Sequence, residues 1–149
     1  MATEIERKFL VTGNFRNDAI KEINIIQAYL TVDPFKTTRI RLTDDEAYIT
    51  IKSARSGASL ARGEWEFKIP AEDAKELINI CLPGRIIKTR YIIPWGKHKF
   101  EVDVFHDKNE GLIIAEIELS SENESFNKPA WLGKEVTGDP AYYNSSLIK

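Results

Sequence analysis

The chain has 149 residues, of which 42% are hydrophobic and 30% are charged. This size and composition indicate a single globular domain over residues 1–149, with enough apolar side chains for one core. The formal net charge of −2, from 21 basic and 23 acidic side chains, argues against a protein that binds nucleic acid through a general basic field.

Cysteine content and hydropathy give expectations about the compartment. The single cysteine, Cys81, excludes a disulfide within the chain, which fits a reducing environment. No apolar run reaches the roughly 18–20 residues of a membrane-spanning helix, and the N-terminus lacks the hydrophobic stretch of a secretory signal. We therefore expect a cytoplasmic protein that does not associate with a membrane.

Strand-like alternation dominates the chain. Apolar and polar residues alternate with a period of two in eight segments, which span residues 3–11, 25–32, 38–43, 47–53, 62–69, 86–93, 98–106 and 112–120. Turn-forming residues separate these segments, among them Asp33-Pro34 and Ser56-Gly57. The stretch "LTDDEAYI" is typical of a tight hairpin between the third and fourth strands.

Helical patterns are fewer. A short helix is predicted over residues 14–24, and a clearer one follows Pro70 over residues 71–82. A third is predicted from Pro140 toward Leu147, with Asp139 as its N-cap. The fold class is therefore mainly β (α+β): an eight-stranded antiparallel closed barrel with a few flanking helices.

Charges on the polar face of the strands are sorted by sign from strand to strand. Acidic pairs occur on the first, fifth, seventh and eighth segments, and basic residues on the third, fourth and sixth. One interpretation is an ordinary antiparallel sheet whose polar face meets water. However, like charges two residues apart on one strand face repel each other, so a surface gains nothing from such pairs. The sorting therefore favours a barrel with a polar, charged interior.

A charged barrel interior would need ligands. Eight strands enclose a space for side chains or one small ligand, and buried charge without a partner is costly. The first and last long strands, which are neighbours if the barrel closes, carry Glu4, Glu6, Glu116 and Glu118, and such carboxylates suit Mg²⁺ or Mn²⁺. Cations suited to a chain of phosphates are Lys8, Arg39, Arg41, Lys52, Lys88 and Arg90. A metal ion and several cationic side chains around a chain of phosphates are typical of enzymes that catalyse phosphoryl transfer.

An ordered set of motifs points to a family. The N-terminal E-x-E-x-K pattern, Glu4-Ile5-Glu6-Arg7-Lys8, is followed in order by "QAYL", "RIRL", "TIKS", "RGEWEF", "KTRY", "EVDVF" and "AEIEL". The tail reads "PAWLGKEVTGDPAYYNSSL". This set resembles CYTH-domain proteins of the triphosphate tunnel metalloenzyme superfamily over nearly the whole chain.

The resemblance implies an eight-stranded tunnel that hydrolyses or rearranges triphosphates with Mg²⁺ or Mn²⁺. It implies metal binding by the four glutamates named above and phosphate binding by the six cations, with Lys8 also in the catalytic set. It implies that Asp103, with either Glu64 or Glu66, serves a second metal or orients water. It also implies that a C-terminal helix bearing Tyr142 and Asn144 lies at one mouth of the tunnel.

The expected reaction is hydrolysis of inorganic tripolyphosphate, because little of the chain is left to recognise an organic group. Alternatives are an adenylate cyclase that converts ATP to cyclic AMP, a thiamine triphosphatase, and a non-catalytic module that binds polyphosphate or nucleotides. A base would need an aromatic clamp, for which Phe35 and Trp95 are loop candidates, although packing better explains Trp95. An isologous homodimer is the default expectation for assembly.

Overall fold

The computed structural model describes residues 2–33, 35–54 and 61–148. Within them the strands are β1 (Ala2–Val11), β2 (Lys21–Val32), β3 (Lys36–Thr43), β4 (Ala47–Ser53), β5 (Ala61–Ile69), β6 (Ile86–Trp95), β7 (His98–Phe105), β8 (Ile113–Glu118) and β9 (Leu132–Glu135). One α-helix, α1, spans Ala71–Ile80, in agreement with the helix predicted after Pro70. The predicted turn at Ser56-Gly57 lies outside the described residues, as does Pro34.

Strands β1 to β8 close into an antiparallel barrel, as predicted. Neighbours follow the order β5-β4-β3-β2-β6-β7-β8-β1, and β1 pairs back with β5 through Ala2–Ile5. Residues Glu6–Leu10 of β1 pair with β8, so the two strands that carry the predicted metal ligands are neighbours. The hairpin predicted from "LTDDEAYI" joins β3 to β4, where the Thr43 amide donates to the Glu46 carbonyl.

Two local predictions were wrong, and one strand was missed. Residues 14–24 do not form a helix: Arg16–Asp18 makes one 3-10 turn and β2 begins at Lys21, because the backbone from Lys21 onward pairs with β6. The C-terminal helix is replaced by two 3-10 turns, Pro140–Tyr142 and Asn144–Ser146, which the extended Tyr143 separates. Strand β9, which pairs with the end of β1, was not predicted because four residues are too few to show alternation.

The apolar side chains pack mainly outside the barrel. On one side, Phe9, Phe100 and Ile117 lie under Trp131 of the segment that follows β8. On another side, α1 packs Ala74 and Ile78 against β2, β3 and β4. This arrangement leaves the alternate, polar residues of each strand to face the barrel interior. No helix in the described ranges is long and apolar enough to cross a membrane.

Candidate functional site

The barrel interior holds a cavity of about 210 Å³ with a charged wall. The carboxylates that line it are Glu4, Glu6, Glu64, Glu66, Glu101, Glu116 and Glu118. The cations that line it are Lys8, Arg39, Arg41, Lys52, Arg62 and Arg90. The prediction of a charged lumen is therefore confirmed, and most of the predicted site residues meet in this one cavity.

The two arginines of β3 have no acidic partner among the residues that the structure describes. Arg39 Nη2 donates to Thr50 Oγ1 at 3.4 Å, and the buried Nε atoms of both Arg39 and Arg41 have no hydrogen-bond acceptor among the described residues. No described carboxylate lies within ion-pair distance of either guanidinium. Burial, together with the positive charges of Arg39 and Arg90, lowers the pKa of Arg41 to about 10. This side of the cavity thus holds positive charge that an anion would neutralise.

Where β1 meets β5, the charges are partly paired. Lys52 Nζ donates to Glu4 Oε2 at 2.7 Å and lies 3.6 Å from Glu64 Oε2, while Arg62 Nε donates to Glu4 Oε1 at 3.3 Å. Burial opposes ionisation of Glu4, but Lys52 and a hydrogen bond with Glu64 outweigh it and lower its pKa to about 2. Burial and the neighbouring Glu4 raise the pKa of Glu64 to about 7. Hence Glu4 is ionised at neutral pH, whereas Glu64 is close to half ionised there.

Carboxylates crowd together where β1 meets β8. Glu6 lies opposite Glu118, and Lys8 lies opposite Glu116, with 3.9 Å between Lys8 Nζ and Glu116 Oε1. Burial and the charge of Glu6 raise the pKa of Glu116. Burial and nearby carboxylates also raise the pKa of Glu118. The negative charge on this wall is therefore unfavourable without a cation.

The donor set fits a hard divalent cation. No three acidic, imidazole or thiol groups in the described part of the chain are already gathered as a metal site. Glu4 Oε2 instead lies 2.7 Å from Lys52 Nζ, and Glu116 Oε1 lies 3.9 Å from Lys8 Nζ. The oxygen ligands and the raised pKa values of Glu116 and Glu118 are nevertheless those expected where Mg²⁺ or Mn²⁺ would relieve repulsion.

Asp103 and Lys88 lie elsewhere than the sequence suggested. Neither is among the residues that line the cavity. Arg90 Nε and Nη2 donate to the two oxygens of Asp103 at 2.7 and 2.9 Å, and Lys88 Nζ lies 2.7 Å from Asp103 Oδ2. These cations overcome the burial penalty and hold the pKa of Asp103 well below its usual range. Both oxygens of Asp103 thus contact protein cations, and Lys88 meets Asp103 rather than the cavity.

The C-terminal segment closes one part of the wall, but with a different tyrosine. Tyr143, Asn144 and Ser145 line the cavity, whereas Tyr142 packs with the apolar residues at the end of the barrel. Tyr143 is extended between two short turns, so the helix that the resemblance implied for Tyr142 and Asn144 does not form. Tyr29 also lines the cavity and was missed, although it lies opposite Arg39 and its position in "QAYL" places it on the inward face.

Comparisons with known proteins agree with this geometry. The family model described as CYTH domain matches residues 2–146. An inorganic triphosphatase of Acetivibrio thermocellus is 43% identical over 100% of this chain and 95% of its own length. An inorganic triphosphatase of Nitrosomonas europaea is 36% identical over 97% and 96%, respectively. The solved structure of the inorganic triphosphatase NE1496 is 33% identical, covers 99% of this chain and 95% of that chain, and superposes with a TM-score of 0.70. The chain therefore belongs to the CYTH domain family.

Proposed function

We propose that this chain is a divalent-metal-dependent hydrolase of triphosphates whose substrate is inorganic tripolyphosphate. The observation that carries the proposal is the pair of arginines on β3, Arg39 and Arg41, which face a wall of carboxylates without an acidic partner of their own in the described ranges. Only a ligand that brings both negative charge and metal suits the two walls together. A cytoplasmic location and a homodimer stay predictions from the sequence.

The cations would hold the phosphate chain. Arg39 and Arg41 offer planar donor groups that pair bidentately with phosphate oxygens, and Lys8 and Lys52 offer point charges. Arg90 is already oriented by its two bonds to Asp103, so its remaining Nη1 points toward Glu101 at 3.3 Å on the cavity wall. Preorganised donors of this kind need little rearrangement when charge develops on the phosphoryl oxygens.

The carboxylates would hold the metal and handle the proton. The proposed ligands of Mg²⁺ or Mn²⁺ are Glu4, Glu6, Glu116 and Glu118. A bound ion would supply charge neutralisation and a more acidic water. Glu64, with a pKa near 7, is suited to accept a proton from the attacking water at neutral pH. Attack of water on a terminal phosphorus breaks one phosphoanhydride bond and yields orthophosphate and pyrophosphate.

The cavity wall favours an inorganic substrate over ATP or thiamine triphosphate. Among the described lining residues the aromatic ones are Tyr29 and Tyr143. Trp95 packs outside the barrel with its ring centroid 6.3 Å from that of Trp131, and Phe35 is 76% exposed and does not line the cavity. Neither aromatic candidate therefore forms a clamp for an adenine or thiazole ring. The carboxylate wall in turn disfavours a pure anion-binding module.

A substrate comparison tests the proposal. Release of orthophosphate would be measured with Mg²⁺ or Mn²⁺ for tripolyphosphate, ATP and thiamine triphosphate, with analysis for cyclic AMP. We expect tripolyphosphate to be hydrolysed fastest, Glu116→Gln to abolish turnover, and Glu72→Gln on the exposed side of α1 to leave it unchanged. Cyclic AMP as the main product would favour the cyclase, and no turnover with any divalent ion would favour the binding module.

A further inference from the structure

The C-terminal segment, defined here as residues 139–148, contacts a cation of the cavity directly. Lys8 Nζ lies 3.5 Å from the Tyr142 carbonyl oxygen, to which it donates, and 5.8 Å from the centroid of the Tyr143 ring. Glu116 on β8 is 3.9 Å away on another side of the same ammonium. The position of Lys8 therefore depends on where the C-terminal segment lies.

The far end of the segment is fixed by residues that do not line the cavity. Lys108 Nζ donates to the Ile148 carbonyl at 2.5 Å, and Asn109 Nδ2 donates to the Leu147 carbonyl at 2.9 Å. Both donors belong to the short turn between β7 and β8. They satisfy two carbonyl groups at the end of a segment whose own backbone hydrogen bonds each close a single short turn.

A glycine permits this close approach. Gly84 has φ +92, and a Cβ atom placed on it would lie 1.8 Å from the Ile148 carbonyl oxygen and 2.8 Å from Lys108 Nζ. Any side chain at this position would displace the end of the segment or the lysine that holds it. Gly84, Lys108 and Ile148 thus meet at one junction. We call these three residues and Asn109 the tail anchor.

We propose that Gly84, Lys108 and Asn109 are positioning residues for the cavity, because the tail anchor fixes the segment that in turn holds Lys8 against the phosphate chain. This inference rests on the proposed function. Two contacts carry it: the Lys108–Ile148 hydrogen bond at the end of the segment, and the contact of Lys8 with Tyr142 and Tyr143 near its middle.

The first test compares Lys108→Met and Asn109→Ala with Lys75→Met, a matched change on the exposed side of α1. For each protein, kcat and KM for tripolyphosphate would be measured with metal, and the Kd of tripolyphosphate by calorimetry in EDTA. For Lys108→Met, the loss of one hydrogen bond from a charged donor predicts a roughly tenfold fall in kcat/KM and a similar rise in the Kd of tripolyphosphate. If these residues were merely structural, the variants would have a lower melting temperature, but kcat/KM and Kd measured well below that temperature would be unchanged.

A double variant tests the path of the effect. Lys108→Met alone should lower kcat/KM about tenfold relative to wild type. If the tail anchor acts through Lys8, the double variant Lys8→Met/Lys108→Met should have a kcat/KM within about twofold of that of Lys8→Met. Gly84→Ala should resemble Lys108→Met, whereas Gly96→Ala, at φ +61 with no atom within 4 Å of the added Cβ, should not.

The outcomes separate this inference from the proposed function. Wild-type protein that neither binds nor hydrolyses a triphosphate overturns the proposed function, and the positioning role with it. Wild-type turnover that Lys108→Met leaves within twofold overturns the positioning role alone. Equal effects of Lys108→Met in the presence and absence of Lys8 would also overturn it, since the anchor would then act elsewhere.

Discussion

Replacing Asp103 with asparagine should destabilise the barrel strongly. In the folded protein Asp103 is 1% exposed and accepts from Arg90 at 2.7 and 2.9 Å, with Lys88 Nζ at 2.7 Å. Asp103→Asn keeps the shape of the side chain but removes the negative charge that both cations face. Lys88 would then lose the carboxylate 2.7 Å from it, and Arg90 would keep only the 3.3 Å contact of its Nη1 with Glu101, which is the costly way to break a buried ion pair.

The magnitude follows from the burial of all three groups. Removing one partner of a buried pair typically costs about 3–5 kcal/mol of unfolding free energy. For a chain of this length, each kcal/mol lowers the melting temperature by about 2–4 °C, so the expected loss is roughly 6–20 °C. Asp45→Asn, in the exposed hairpin between β3 and β4, is the control and should change the melting temperature by less than ~2 °C.

Thermal unfolding followed by circular dichroism across pH checks both the size and the sign. The folded-state pKa of Asp103 lies below its unfolded value of about 3.9, so its contribution is present above that pH and is lost as the pH falls further. The gap between wild type and Asp103→Asn should therefore narrow below about pH 4. A variant that melts within 1 °C of wild type at pH 7 would refute the assignment of Asp103 to Arg90 and Lys88.

Three further predictions concern the cavity. Arg41→Met should leave the melting temperature unchanged or raise it, because the arginine has no acidic partner in the described ranges. The same change should raise KM for tripolyphosphate about 10–150-fold, because a charged hydrogen bond to the substrate is lost. An unchanged KM would show that Arg41 does not belong to the phosphate site. Mg²⁺ or Mn²⁺ at a hundredfold excess over its Kd should add about 2.7 kcal/mol to the free energy of unfolding and so raise the melting temperature. Glu116→Gln should abolish that rise. Glu64→Gln should lower kcat by about 10²–10⁴-fold with little change in KM, as expected for a lost general base; wild-type kcat would leave Glu66 as the remaining candidate.

The interior of the barrel could be predicted from sequence because strand geometry fixes the side of each residue. Glu6 and Lys8 point inward, whereas Arg7 between them pairs with Glu135 on the outside, where Arg7 Nη2 lies 2.5 Å from Glu135 Oε1. Period-two alternation is a local property, so a single strand reveals it. The sorting of charge by strand then indicated that the polar faces meet inside.

The pairing of charges could not be predicted, because it depends on the register between strands. Asp103 looked like the other inward carboxylates, yet its place opposite Arg90 commits both of its oxygens to protein cations. The helix predicted for the C-terminal segment was wrong for a related reason. The end of the segment contacts Gly84 and Lys108, which are distant in sequence, and a local helical pattern does not reveal such contacts.

The most direct test of the account is a crystal structure of the protein with tripolyphosphate and a divalent ion that does not support turnover. We expect the phosphate chain inside the barrel, with its oxygens in hydrogen-bond contact with Arg39 and Arg41 and the ion held by carboxylates of β1 and β8. Tripolyphosphate bound on the outer surface, with Arg39 and Arg41 in the lumen making no contact with it, would contradict the proposed phosphate site.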